Sequence, residues 1–152
     1  MNQTFKEYTN RVPELFTSLQ TSPLIMEKGT LAQKGKSGVY AFFEGSTPVY
    51  VGRTRHLQRR LRGHITFSHY TATFAFKTAR RNLNAPVTYK PLGSRTSLME
   101  DATFRAELEK QIARTKEMWV RFVEVKDPIL QYLLELYACL EWKLPLDEFD
   151  TH

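Results

Sequence analysis

The chain has 152 residues, the length of one domain, and its single cysteine, Cys139, excludes an internal disulfide and a cysteine-rich zinc cage. No apolar run reaches the ~18 residues of a membrane span, and the start MNQTFKEYTN lacks the basic-then-apolar layout of a signal peptide, so the expectation is a soluble cytoplasmic protein with no membrane partner. The net charge of +6 is unevenly spread: residues 51–100 carry ten Lys and Arg against one acid, none of it between Arg53 and Arg95, with Phe67, Tyr70, Phe74, Phe76 and Tyr89 among the cations, a pattern that suits nucleic acid or a solvated helix face.

In chain order, Phe5, Tyr8, Val12, Leu15, Phe16 and Leu19 recur at helical spacing and predict an amphipathic helix over 3–20. Residues 22–36 have turn chemistry and read as loop, so 1–36 is an N-terminal helix and loop. GVYAFFE (38–44) and PVYVG (48–52) read as two strands of a hairpin joined through Gly45, Ser46 and Thr47. Thr54 is a candidate cap for a helix from Arg55 to about Ile65, with Leu57, Leu61 and Ile65 as its apolar stripe. A short helix is expected near Thr73–Arg81. Asp101 caps a further helix whose buried face is Phe104, Leu108 and Ile112. WVRFVEV (119–125) reads as a third strand. Asp127-Pro128 starts the last helix, which runs to about Trp142 and stops before Pro145. Trp119, Trp142 and Cys139 read as core. Together these predict one α+β domain over 1–152: a small three-stranded antiparallel sheet flanked by helices, with a helical insertion at 65–118.

Gly38-Val39-Tyr40 stands ten residues before Tyr50-Val51-Gly52, counted from the tyrosines. Gly52, Thr54, Leu57, Arg60, Leu61 and His64 follow in the spacing G-x-T-x-x-L-x-x-R-L-x-x-H, and Glu135 and Pro145 stand ten apart downstream. This set resembles the GIY-YIG nuclease family, and the closing stretch is similar to the tail of its stand-alone bacterial members. His56 stands where the family has Asn, as does Asp147 near the end. An ionised Asp accepts a hydrogen bond but cannot donate one, so Asp147 is the position where activity departs from the family pattern. The resemblance implies a metal-dependent DNA endonuclease with Tyr40, Tyr50, Arg60, His64 and Glu135 as catalytic residues and one Mg²⁺ or Mn²⁺ on Glu135.

The residue types fit that chemistry. A phenol titrates near pH 10, so a tyrosine acting as base needs cationic neighbours. Arg60 and His64, one helical turn apart, could supply them, and Arg60 is suited to gripping two phosphate oxygens. Glu135, among leucines, is costly to bury unless paired or metal-bound, and it offers a hard oxygen ligand. Arg53, Arg55, Arg59, Arg62, Lys77, Arg80 and Arg81 are the candidate nucleic-acid contacts, and His69 and Tyr70 are further candidates beside Lys77. Single- and double-stranded DNA both fit, as do a monomer and a homodimer, because the first helix can pack on its own sheet or on a second copy. A nucleic-acid-binding module of the same fold with weak or no cleavage is the alternative.

Overall fold

A computed structural model describes residues 1–146 except Val87 and Tyr89; Asp147, the position that departs from the family pattern, lies outside the described residues. Among those residues the order is α1 (Gln3–Thr21), a 3-10 turn (Leu31–Gln33), β1 (Gly38–Glu44), β2 (Thr47–Thr54), α2 (Leu57–His64), α3 (Thr73–Asn82), α4 (Arg95–Leu98), α5 (Ala102–Lys116), β3 (Trp119–Glu124) and α6 (Pro128–Glu141). The architecture is α+β, with an antiparallel sheet of strand order β2-β1-β3. No helix among the described residues is long and apolar enough to cross a membrane.

The central strand β1 is buried along all but its last residue, which explains its nearly unbroken apolar run. One face of the sheet (Val39, Ala41, Phe43, Val51) packs on Val12, Phe16 and Leu19 of α1 and on Leu130, Leu134 and Ala138 of α6. The other face (Tyr40, Phe42, Tyr50, Val120) packs on Leu57 and Leu61 of α2 and Phe74 of α3. Residues 65–118 build a cluster of their own, in which Ala75, Phe76 and Ala79 of α3 meet Phe104, Leu108 and Ile112 of α5.

The side-chain caps act where the sequence places them for the last two long helices. Asp101 accepts from Thr103 N and Phe104 N, and Asp127 accepts from Ile129 N and Leu130 N ahead of Pro128. Thr54 does not cap α2. Its hydroxyl accepts from His56 N at 2.9 Å, and the helix begins at Leu57, whose N–H donates to Lys36 O at 3.0 Å. A loop carbonyl thus satisfies the first orphan donor, and the helix starts later than expected. His64 rather than Ile65 completes its buried face. Residues 22–36 are more ordered than a loop: Ile25 forms a bridge with Val120 that covers the outer edge of β3, and α4 was not foreseen. Phe5 is 48% exposed, because α1 meets α6 one turn later, where Tyr8 donates to Asp127. Trp119 opens an edge strand and is 36% exposed, which corrects its reading as core; Trp142 packs on Phe16 and Phe43, and Cys139 is buried.

Candidate active site

Tyr40 and Tyr50 lie on one face of the hairpin but not opposite each other. The register pairs Tyr40 with Gly52 and Phe42 with Tyr50, so the two phenol rings sit diagonally, 6.1 Å apart. Gly52 makes room for this, because the Tyr40 ring lies over the place where a side chain would be. A Cβ there would stand 2.7 Å from the Tyr40 hydroxyl. Gly38 is constrained in the same way, since a Cβ would collide with Val123 O across the sheet. These close approaches give a physical reason for glycine in both tripeptides.

From α2, two side chains one turn apart converge on the Tyr40 oxygen: His64 Nε2 at 2.7 Å and Arg60 Nε at 3.1 Å. Tyr40 and His64 are fully buried, and Tyr50 is 6% exposed. Burial, together with the charges of Arg60 and Lys28, holds the His64 imidazole well below its usual range, so it is neutral. Arg60 donates to the phenolic oxygen, and Tyr40 and His64 Nε2 share one hydrogen bond whose direction follows the imidazole tautomer. Nδ1 is buried without a hydrogen-bond partner, among the rings of Phe42 and Tyr50. Burial alone would push the Arg60 guanidinium down, but Tyr40 and Tyr50 outweigh it and hold Arg60 above its ordinary value.

Glu135 reaches the same strand from the other side. Tyr50 and Arg53 are three residues apart on β2 and so point to opposite faces, and Arg53 meets α6, its Nε 3.0 Å from Glu135 Oε2. Its guanidinium lies 3.5 Å from the ring centroid of Tyr132, one helical turn before Glu135. The Arg53 N–H is not aligned on the carboxylate as a hydrogen bond, so the contact is an ion pair without the directional component. β2, which carries both Tyr50 and Arg53, is an edge strand. A small cleft crosses its open edge, lined by Tyr50, Phe74, Lys77 and Arg81 from one side and by Val51, Cys139 and Leu144 from the other.

Glu135 is 7% exposed and supplies the hard oxygen donor that a divalent ion favours. Among the described residues no three His, Cys, Asp or Glu groups converge on one point, so any ion on Glu135 would need other ligands from water or phosphate.

The remaining candidates divide. Arg55 and Arg59 are exposed, and Arg59 lines a cleft of about 280 Å³ together with Thr54, His56, Arg60, Gly63 and Thr71. Arg62 donates to Gly29 O at 2.8 Å, and Arg80 donates to Pro86 O and Gly93 O, so both tie down loops. His69 stacks on Tyr70 at 4.0 Å, and its carbonyl accepts from Arg95. Neither ring is among the groups that meet Tyr40. The sequence reading missed Lys28, Gln33 and Tyr132. Lys28 donates to Met118 O and Lys116 O at the end of α5, and its ammonium is pushed down to about 8 by burial. Gln33 is buried and clamps the same loop through Gly29 N, Thr30 N and Glu27 O. No spacing signal marks either; Tyr132 alone was findable, one turn before Glu135 on a helix face.

Comparison with known proteins yields no match among family models, curated sequences or solved structures.

Proposed function

We propose that the chain is a divalent-metal-dependent endonuclease that hydrolyses phosphodiester bonds of DNA with loose sequence specificity. The observation that carries this reading is the Tyr40 hydroxyl held at once by His64 Nε2 and Arg60 Nε, at 2.7 and 3.1 Å, where α2 borders a cleft lined by Arg59 and Arg60. The motif spacing that resembles the GIY-YIG nucleases supports it, and three of the residues in that spacing, Tyr40, Arg60 and His64, are in hydrogen-bond contact.

Phosphodiester hydrolysis needs a proton removed from water, neutralised phosphorus oxygens and a stabilised leaving oxygen. Tyr50 lines the cleft across the β2 edge while Tyr40 is fully buried, so Tyr50 is the phenol assigned to the attacking water. Arg60 touches both phenols and holds the negative charge of a phenolate formed on either. His64 is neutral, and its Nε2 hydrogen bond with the Tyr40 hydroxyl keeps that oxygen turned toward Arg60. Glu135 would hold a divalent ion, which supplies charge neutralisation at the phosphate and leaving oxygen when bound. Arg55 and Arg59 are exposed cations suited to backbone phosphates, and contacts of that kind carry no sequence information.

A nucleic-acid-binding module without cleavage is the second reading, favoured by the Arg53 charge already resting on Glu135. One experiment separates the two: cleavage of supercoiled plasmid and of labelled single- and double-stranded oligonucleotides with Mg²⁺, Mn²⁺ or chelator, beside Glu135→Ala and Arg60→Ala. The nuclease reading expects metal-dependent cutting that Glu135→Ala abolishes and Arg60→Ala slows by about 10²–10³. Binding that ignores chelator, with no cutting of any substrate, would establish the binding module instead.

A further inference from the structure

Arg53 of β2 forms an ion pair with Glu135, and three features of that contact set it apart from a structural salt bridge. The Nε–Oε2 distance of 3.0 Å is short, yet the N–H does not point at the oxygen, so Coulomb attraction holds the pair without a hydrogen bond. The Arg53 side chain is 35% exposed while that of Glu135 is 9% exposed, so the cation is the partner freer to move toward solvent. The guanidinium also rests against the Tyr132 ring at 3.5 Å, on a residue that is itself 53% exposed, so it has a second seat that needs no carboxylate.

We propose that Arg53 is the resident counter-ion of Glu135 and that it gives way to a divalent cation, moving off the carboxylate while it stays on the face of Tyr132. This rests on the reading of Glu135 as the metal-binding residue. A buried carboxylate is costly to leave unpaired, and Arg53 compensates it until a stronger cation arrives. The carboxylate keeps a cation throughout: the guanidinium moves off it as the divalent ion enters, and the site gains positive charge. The displaced guanidinium remains near the end of β2, on the face of Tyr132. Arg53 is thus a positioning residue that competes with metal in the free protein.

The test is Mn²⁺ binding to the full chain without DNA, followed by loss of the free-ion EPR signal, for wild type, Arg53→Gln, Tyr132→Leu and Glu135→Gln, each checked for an unchanged far-UV circular dichroism spectrum. Removing the competitor should tighten Mn²⁺ binding by about fivefold, the affinity equivalent of one partly exposed ion pair. Tyr132→Leu removes the second seat, leaves Arg53 with only the carboxylate, and should weaken Mn²⁺ binding relative to wild type. Glu135→Gln should lose the site. Equal or weaker binding in Arg53→Gln, with binding still abolished by Glu135→Gln, would overturn the counter-ion role and leave the metal reading standing. Mn²⁺ binding that is absent throughout, or indifferent to Glu135, would overturn the metal reading and this inference with it.

Discussion

Replacing Gly52 by alanine tests the site through one methyl group. The added Cβ would lie 2.7 Å from the Tyr40 hydroxyl oxygen, 2.8 Å from its Cζ and 3.1 Å from Tyr50 Cε1, all inside normal contact. Tyr40 has no solvent to retreat into, because it is fully buried between Phe42, Tyr50 and His64. The strain must therefore be relieved by moving the ring, the strand or both, at about 1–3 kcal/mol. For a domain of this size that lowers the melting temperature by about 2–12 °C. The hydroxyl that moves is the one bound to His64 and Arg60, so DNA cleavage should fall by about 10²-fold even where the variant is fully folded. Adding Tyr40→Phe to Gly52→Ala removes the nearest atom but leaves the ring carbon at 2.8 Å, so it should restore part of the stability and none of the activity. Thermal melts and cleavage rates on the two variants and the wild type decide the matter. Gly52→Ala with the wild-type melting temperature and rate would refute the close-approach argument.

His64 predicts a pH dependence of stability. The buried ring stays neutral while the unfolded chain takes up a proton near pH 6.5, so folding stability should fall as pH drops below that value, by about 1.4 kcal/mol per unit from this residue. His64→Gln keeps an acceptor for Tyr40 and should flatten the slope in urea titrations; unchanged slopes would mean that His64 is charged in the fold. Gln33→Ala should cost about 2–3 kcal/mol by stranding the N–H groups of Gly29 and Thr30, whereas Arg114→Ala, which breaks a half-exposed pair with Glu44, should cost no more than about 1 kcal/mol. The opposite ranking in denaturant midpoints would show that the loop clamp is not structural. Arg55→Gln and Arg59→Gln should each reduce the salt slope of DNA binding by about 0.7–0.9, while Arg80→Gln, whose guanidinium is spent on Pro86 O and Gly93 O, should leave it unchanged.

Local signals carried much of the architecture. Asp101 and Asp127-Pro128 are caps whose chemistry is complete within a few residues, and the structure uses both as the sequence suggests. The hairpin follows from two β-rich runs around Gly45, which takes a positive φ of 58°. Arg60 and His64 face Tyr40 together because a helix places residues four apart on one side. What stayed hidden depends on partners far along the chain. The start of α2 is decided by Lys36 O, the order of residues 22–36 by Val120 and by the reach of Gln33, and the setting of Glu135 by an arginine from β2. Period two could say that Tyr50 and Arg53 face opposite ways. It could not say that α6 covers the second face, which only packing decides.

The acid-free tract from Arg53 to Arg95 invites a reading as one continuous phosphate-binding surface, and the hydrogen bonds divide it. Arg62, Arg80 and Arg95 donate to the carbonyls of Gly29, Pro86, Gly93 and His69. These carbonyls lie in segments with little regular secondary structure, where backbone acceptors lack ladder partners, and long guanidinium donors satisfy them without any carboxylate. The lack of acids here is therefore compatible with a purely architectural use of arginine. A carbonyl, however, takes a hydrogen bond without cancelling a charge. Arg62, Arg80 and Arg95 keep their positive charge while they hold the loops, so the tract retains its field whichever side chains touch a ligand. Direct contact then falls to exposed cations such as Arg55 and Arg59, and attraction at longer range to the whole tract. The two contributions separate by experiment, since neutralising Arg80 should slow association at low salt without removing a contact counted in the salt slope at equilibrium.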